Sequence, residues 1–169
     1  MKNSKKIKAL IFDWGDTVMK DFQEFSGPMA EWPHVETIPG IEETLEVFHG
    51  KYLICLATNA GASDASLVRK ALARVHIDYY FTEIFTSKEL GYQKPQVEFF
   101  ESILHKLNLS AKECVMIGND YMKDIVAAKE VGLQTIYLSE DVGEYEYANV
   151  VIRSMDELER EIVLLTESQ

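Results

Sequence analysis

Short apolar runs at residues 7–12, 52–57, 83–85, 114–117, 135–138 and 150–152 divide the chain, most of them closed by Gly, Asp, Asn or Thr. Runs of this length and ending predict buried strands of a parallel sheet. Helical spacing fills the intervals. Ile41, Leu45 and Phe48 repeat on one face, as do Leu67, Ala71 and Val75. Phe100, Leu104 and Leu107 follow Pro95, which suits a first helical turn. Ser154-x-x-Glu157 reads as a capping box ahead of Leu158, Ile162 and Leu165. Strand and helix in alternation predict a doubly wound α/β fold: a mainly parallel sheet with helices on both faces, a three-layer sandwich. In such sheets ligands gather at the carboxyl ends of the strands.

One stretch departs from the rhythm. Residues 20–39 (KDFQEFSGPMAEWPHVETIP) carry three of the four prolines and no apolar period. A long irregular segment in a compact domain is more often functional than idle. It is too short for a second domain, so residues 1–169 are expected to form one domain with an irregular insert near the site.

Charge narrows the partners. The formal net charge of −11 opposes nonspecific attraction to nucleic acid or anionic membranes. No apolar stretch is long enough for a membrane span, and the apolar segment after the basic start is too short for a signal peptide. A cytoplasmic location is the expectation. Cys55 and Cys114 lie inside apolar runs, which predicts buried free thiols in a reducing compartment.

The chemistry sits at the strand ends. Asp13-Trp14-Gly15-Asp16-Thr17 follows the first run, Thr58-Asn59 the second, Lys94 the third, and Gly118-Asn119-Asp120 with Asp124 the fourth. Singly, each reads as a cap, a turn former or a solvated lysine. Together and in this order they project to one sheet edge. IFDWGDTV, LATN, GYQKP and VMIGNDYMKDIVAAKEVG resemble, in sequence, the four motifs of the haloacid dehalogenase superfamily, most of whose members are phosphatases. The resemblance spans about residues 7 to 138.

It implies a Mg²⁺-dependent phosphohydrolase whose Asp13 attacks phosphorus and passes through an aspartyl-phosphate. Asp13, the Gly15 carbonyl and Asp120 are the implied metal ligands, with Asp124 orienting Lys94 or a metal-bound water. Thr58 and Lys94 would hold the phosphoryl group, with Asn59 beside them. Three carboxylates are then offset by a divalent cation and one ammonium.

Two departures stand out. The family's phosphatases carry a second Asp two residues after the nucleophile, to protonate the leaving oxygen. Here that position is Gly15, and Asp16 comes one residue later. Asp16 either replaces the acid or caps the turn. Loss of a general acid costs about 10²–10⁴-fold in rate, which keeps open a catalytically weak or inactive phosphate- or protein-binding module. The second departure is Asn119-Asp120 in place of a direct Gly-Asp. Either residue fits the metal position, and the stronger ligand charge favours Asp120.

The intervals from Thr17 to Thr58 and from Thr58 to Lys94 leave no room for an inserted cap domain. An open site suits a phosphoprotein, or a phosphorylated small molecule beneath a loop or a neighbouring copy in a homo-oligomer. Residues 20–39 are the candidate cover, with Trp32 and His34 either touching substrate or anchoring the loop and facing solvent. A receiver domain fits poorly, since its lysine would come last. Dehalogenase chemistry wants a dry, capped pocket, and no G-x-x-x-x-G-K loop is present.

Overall fold

The computed structural model describes residues 6–168; most of the basic start lies outside them. Six parallel strands form one sheet: β1 (Ala9–Phe12), β2 (Leu53–Thr58), β3 (Glu83–Thr86), β4 (Cys114–Gly118), β5 (Gln134–Leu138) and β6 (Val150–Ile152). Their order is β3-β2-β1-β4-β5-β6. All six lie at the expected apolar runs. The order reverses at β1, which pairs β2 on one side (Ile11 with Cys55) and β4 on the other (Ile11 with Met116). The crevice outside the ends of β1 and β4 is therefore the topological switch point, where such folds bind ligands.

Alternation along β1 divides the core. Leu10 and Phe12 point to one face and join α1 (Ile41–Phe48), α2 (Ala65–Ala73) and α6 (Leu158–Glu167) through Leu45, Phe48, Leu72 and Ile162. Ala9 and Ile11 point to the other face. There they meet Phe99, Phe100 and Ile103 of α4 (Val97–Leu107) and Ala127 and Ala128 of α5 (Ala127–Val131). The result is the three-layer doubly wound sandwich. A one-turn helix, α3 (Ser87–Leu90), links β3 to the Lys94 loop.

Two helices differ in phase from the sequence pattern. In α2 the buried face is Val68, Ala71 and Leu72, which pack into the core, and the Asp64 carboxylate caps the helix start on the Leu67 amide at 3.0 Å. Helix α4 begins after Gln96 rather than at Pro95, and buries Phe99 and Ile103 beside Phe100. The Ser154–Glu157 capping box is formed as expected.

Residues 20–39 are anchored by packing. Met29 and Trp32 join the core, the Trp32 Nε1–H donates to the Gly27 carbonyl at 3.0 Å, and Arg74 donates to the Trp32 carbonyl at 2.6 Å. Phe25 meets the Trp32 ring edge-on at 5.5 Å between centroids. His34 lies against Phe22 and pairs with Glu36 at 2.6 Å. Trp32 thus serves as a loop anchor. The two cysteines are buried and unbridged, and burial pushes both thiols up to about 12. Among the described residues no helix is long and apolar enough to cross a membrane.

Candidate active site

Asp13 leaves the end of β1, and its carboxylate is held on both oxygens. Lys94 Nζ donates to Oδ1 at 2.7 Å. Thr17, itself buried, turns its hydroxyl toward Oδ2 at 3.4 Å. Lys94 reaches in from the loop after α3 and is 4% exposed. Its ammonium also donates to Asp124 Oδ1 at 2.7 Å and to the Ala57 carbonyl of β2 at 3.1 Å. Three donors and three acceptors satisfy the group completely, as a buried charge requires. Burial opposes the charge on Lys94, but the Asp13 and Asp124 carboxylates outweigh it and raise its pKa. Burial pushes the Asp124 carboxyl up to about 6, with Lys94 pulling against it.

Each partner is positioned by a specific local device. Asn59 clamps the Lys94 main chain from both sides: Nδ2 donates to the Lys94 carbonyl and Oδ1 accepts its N–H, both at 2.8 Å. The Asn59 amide is thereby committed to Lys94. Asp124 lies in a π-helical segment, Tyr121–Val126, and its Oδ2 accepts the Asp120 N–H at 3.0 Å. Gly118 is required here, since a Cβ at that position would overlap the Asp124 carboxylate.

Asn119 and Asp120 diverge. Asp120 is the N-cap of the π-helical segment; its Oδ1 accepts the Lys123 N–H at 2.9 Å, and its side chain is 44% exposed. Asn119 instead faces Asp13. The inward atom of its amide stands 2.9 Å from Asp13 Oδ2 and 3.2 Å from both Thr17 Oγ1 and the Gly15 carbonyl oxygen. With nitrogen inward, that atom donates hydrogen bonds to these groups. With oxygen inward, it forms a corner of three oxygens with Asp13 and Gly15. Two edges of that corner match the roughly 3 Å edge of an octahedron with Mg–O bonds of about 2.0–2.1 Å. The residues therefore fit a Mg²⁺ ion. Among the described residues no cluster of three His, Cys, Asp or Glu side chains could hold a metal alone. The donor set is mixed: one carboxylate, one main-chain carbonyl and one amide.

The remaining residues line an open cleft of roughly 240 Å³ around Asp13. Thr58 closes it at the end of β2, and its hydroxyl makes no hydrogen bond to another described residue. Asp16 sits at φ +57°, and its Oδ1 accepts the Asp21 N–H at 2.9 Å, so this carboxylate organises the turn. Of residues 20–39, Asp21 lines the cleft, while Trp32 and His34 do not. Thr17 and Gly118 stand in the strand-end motifs, but nothing in the sequence gives them these particular contacts. Asp21 carries no signal of its own in the sequence.

Comparison with known proteins places this site in context. Residues 2–138 match the family model described as haloacid dehalogenase-like hydrolase. A glyceraldehyde 3-phosphate phosphatase of Methanocaldococcus jannaschii is 37% identical over 91 residues, covering 52% of this chain and 40% of the relative. The Pyrococcus furiosus protein of the same name is 30% identical over 138 residues, covering 76% of this chain and 55% of the relative. The chain thus spans about half or less of the curated relatives' length. The solved structure of a putative hydrolase of the same superfamily from Bacillus subtilis, YfnB, bound to magnesium, shares the fold. Its TM-score is 0.75 at 17% identity, covering 93% of this chain and 99% of that one. The switch-point cleft, the four motifs and the family match agree, and the chain belongs to the haloacid dehalogenase-like hydrolases.

Proposed function

We propose that this chain is a Mg²⁺-dependent phosphohydrolase in which the Asp13 carboxylate attacks the phosphorus of a small phosphate ester. The observation that carries this reading is the buried Lys94 ammonium, held 2.7 Å from both Asp13 and Asp124 at the switch point of the sheet. A free carboxylate is repelled by a phosphate dianion. Lys94 offsets part of that repulsion and fixes Oδ1 for attack, while the Thr17 hydroxyl faces Oδ2.

Asp13 Oδ2, the Gly15 carbonyl and the Asn119 amide oxygen would hold Mg²⁺. When bound, the ion supplies the further positive charge that a phosphoryl group needs. In the first step an Asp13 oxygen bonds to phosphorus as the ester P–O bond breaks, and the departing oxygen takes a proton. In the second, water attacks phosphorus, the Asp13–phosphorus bond breaks and inorganic phosphate leaves. The unpartnered Thr58 hydroxyl is placed to donate to a phosphoryl oxygen. The names of the curated relatives support a small phosphate ester rather than a phosphoprotein.

Phosphate release from aryl and acyl phosphates, with and without Mg²⁺, tests the reading beside Asp13→Asn. Release should require the metal and vanish in the variant. If wild type and variant are equally inert while Mg²⁺ still binds, the chain is a binding module instead.

A further inference from the structure

An alkyl phosphate needs a proton on its departing oxygen, and the titratable side chains around the cleft differ in their freedom to supply one. Asp13 is the attacking group. Asp124 is buried on Lys94, while Asp120 accepts the Lys123 N–H and faces the Lys123 ammonium at 4.0 Å, so the Asp120 and Lys123 side chains are paired with each other. Asp16 holds the Asp21 N–H at 2.9 Å. Asp21 remains. Among the described residues its carboxylate meets no cation, and its hydrogen bond is to the Gln23 side-chain amide at 3.1 Å.

Its place follows from Gly15. A Cβ built on Gly15 would lie 3.4 Å from Asp21 Cβ, 3.6 Å from Oδ2 and 3.7 Å from Cγ. The Asp21 carboxyl therefore stands against the space into which a side chain at position 15 would grow, and it lines the same cleft as Asp13. The chain brings it there by a tight turn. Gly15 bridges to Met19, Met19 bridges to Thr37, and the Asp16 carboxylate draws in the Asp21 backbone.

We propose that Asp21 is the proton-transfer residue of this site, with Asp16 as the positioning residue that holds it over Gly15. This rests on the phosphohydrolase reading above. As Asp13 attacks and the ester P–O bond breaks, Asp21 gives its proton to the departing oxygen. In the second step the Asp21 carboxylate takes a proton from the attacking water as the Asp13–phosphorus bond breaks, which restores the starting state.

The test is Asp21→Asn, an isosteric change at an exposed position, assayed by rapid mixing on two substrates. With 4-nitrophenyl phosphate, whose phenolate leaves without a proton, the variant should give a burst of about one phenolate per chain. Turnover after the burst should be slower than wild type by about 10²–10⁴-fold. With glycerol phosphate there should be no burst and a loss of the same order. The double variant G15D/D21N should regain alkyl-phosphate turnover, because the backbone at Gly15 is open to an L side chain and the three atoms nearest its Cβ position all belong to Asp21. Wild-type turnover of glycerol phosphate by Asp21→Asn overturns the assignment, and so does loss of the aryl burst. A wild-type chain with no Asp13-dependent release fails at the earlier step and removes the phosphohydrolase reading itself.

Discussion

The two sides of the cleft are built on opposite principles. On the β2–β4 side, Lys94, Asp13 and Asp124 form a buried charge network with every donor satisfied and Asn59 gripping the lysine backbone. On the loop side, Asp16 and Asp21 are exposed and held by single hydrogen bonds. A group that must stay charged and fixed through a reaction gains from burial among opposite charges. A group that exchanges protons with substrate and water has to remain reachable. In the proposed reaction, the difference separates holding the attacking carboxylate from moving the proton.

Breaking the buried side should have the largest effect. Lys94→Met leaves Asp13 and Asp124 facing each other without a counter-charge. It should cost about 3–5 kcal/mol of stability by urea unfolding, and phosphate release should fall to background. Gly118→Ala attacks the same network from behind by displacing Asp124, and should lower both stability and turnover while leaving Lys94 chemically intact.

Trp32→Ala separates fold from chemistry. Removing the buried ring that pins residues 20–39 should cost about 3–5 kcal/mol, yet kcat of the folded fraction should stay within a few-fold of wild type. Wild-type stability would show that the loop is anchored otherwise. Next comes the metal corner. Asn119→Ala should weaken Mg²⁺ binding by calorimetry by about tenfold or more, about 1.4 kcal/mol, whereas Asp120→Asn should change it far less. The reverse ranking would move the metal to Asp120. The smallest effect concerns the sheet. Burial holds the Cys55 and Cys114 thiols near 12, so iodoacetamide at mildly alkaline pH should label neither until urea is added.

Much of the fold was legible because its signals are local. Each strand is an apolar run closed by a polar residue, and the capping box at Ser154 announced the last helix. The strand ends also placed Asp13, Thr58 and Lys94 at one edge. The misplaced details depend on partners distant in sequence. Leu67 and Val75 share a helical period with Ala71, but the core meets Val68 and Leu72 instead. Asn119 and Asp120 are adjacent, so spacing alone could not separate a side chain facing Asp13 from one capping the next turn. The chain path over Gly15 brings Asp21 to the cleft from a segment without periodicity. The Asn59 grip on the Lys94 backbone is likewise invisible locally, because it joins positions 35 residues apart.

The central claim is that Asp13 carries the phosphoryl group. Acid-quenched mass spectrometry of the chain mixed with Mg²⁺ and 4-nitrophenyl phosphate tests it most directly. The account predicts a phosphoryl adduct on the peptide containing Asp13, enriched in Asp21→Asn and absent in Asp13→Asn. Phosphate release that continues in Asp13→Asn, with no adduct on that peptide in the wild type, would contradict it.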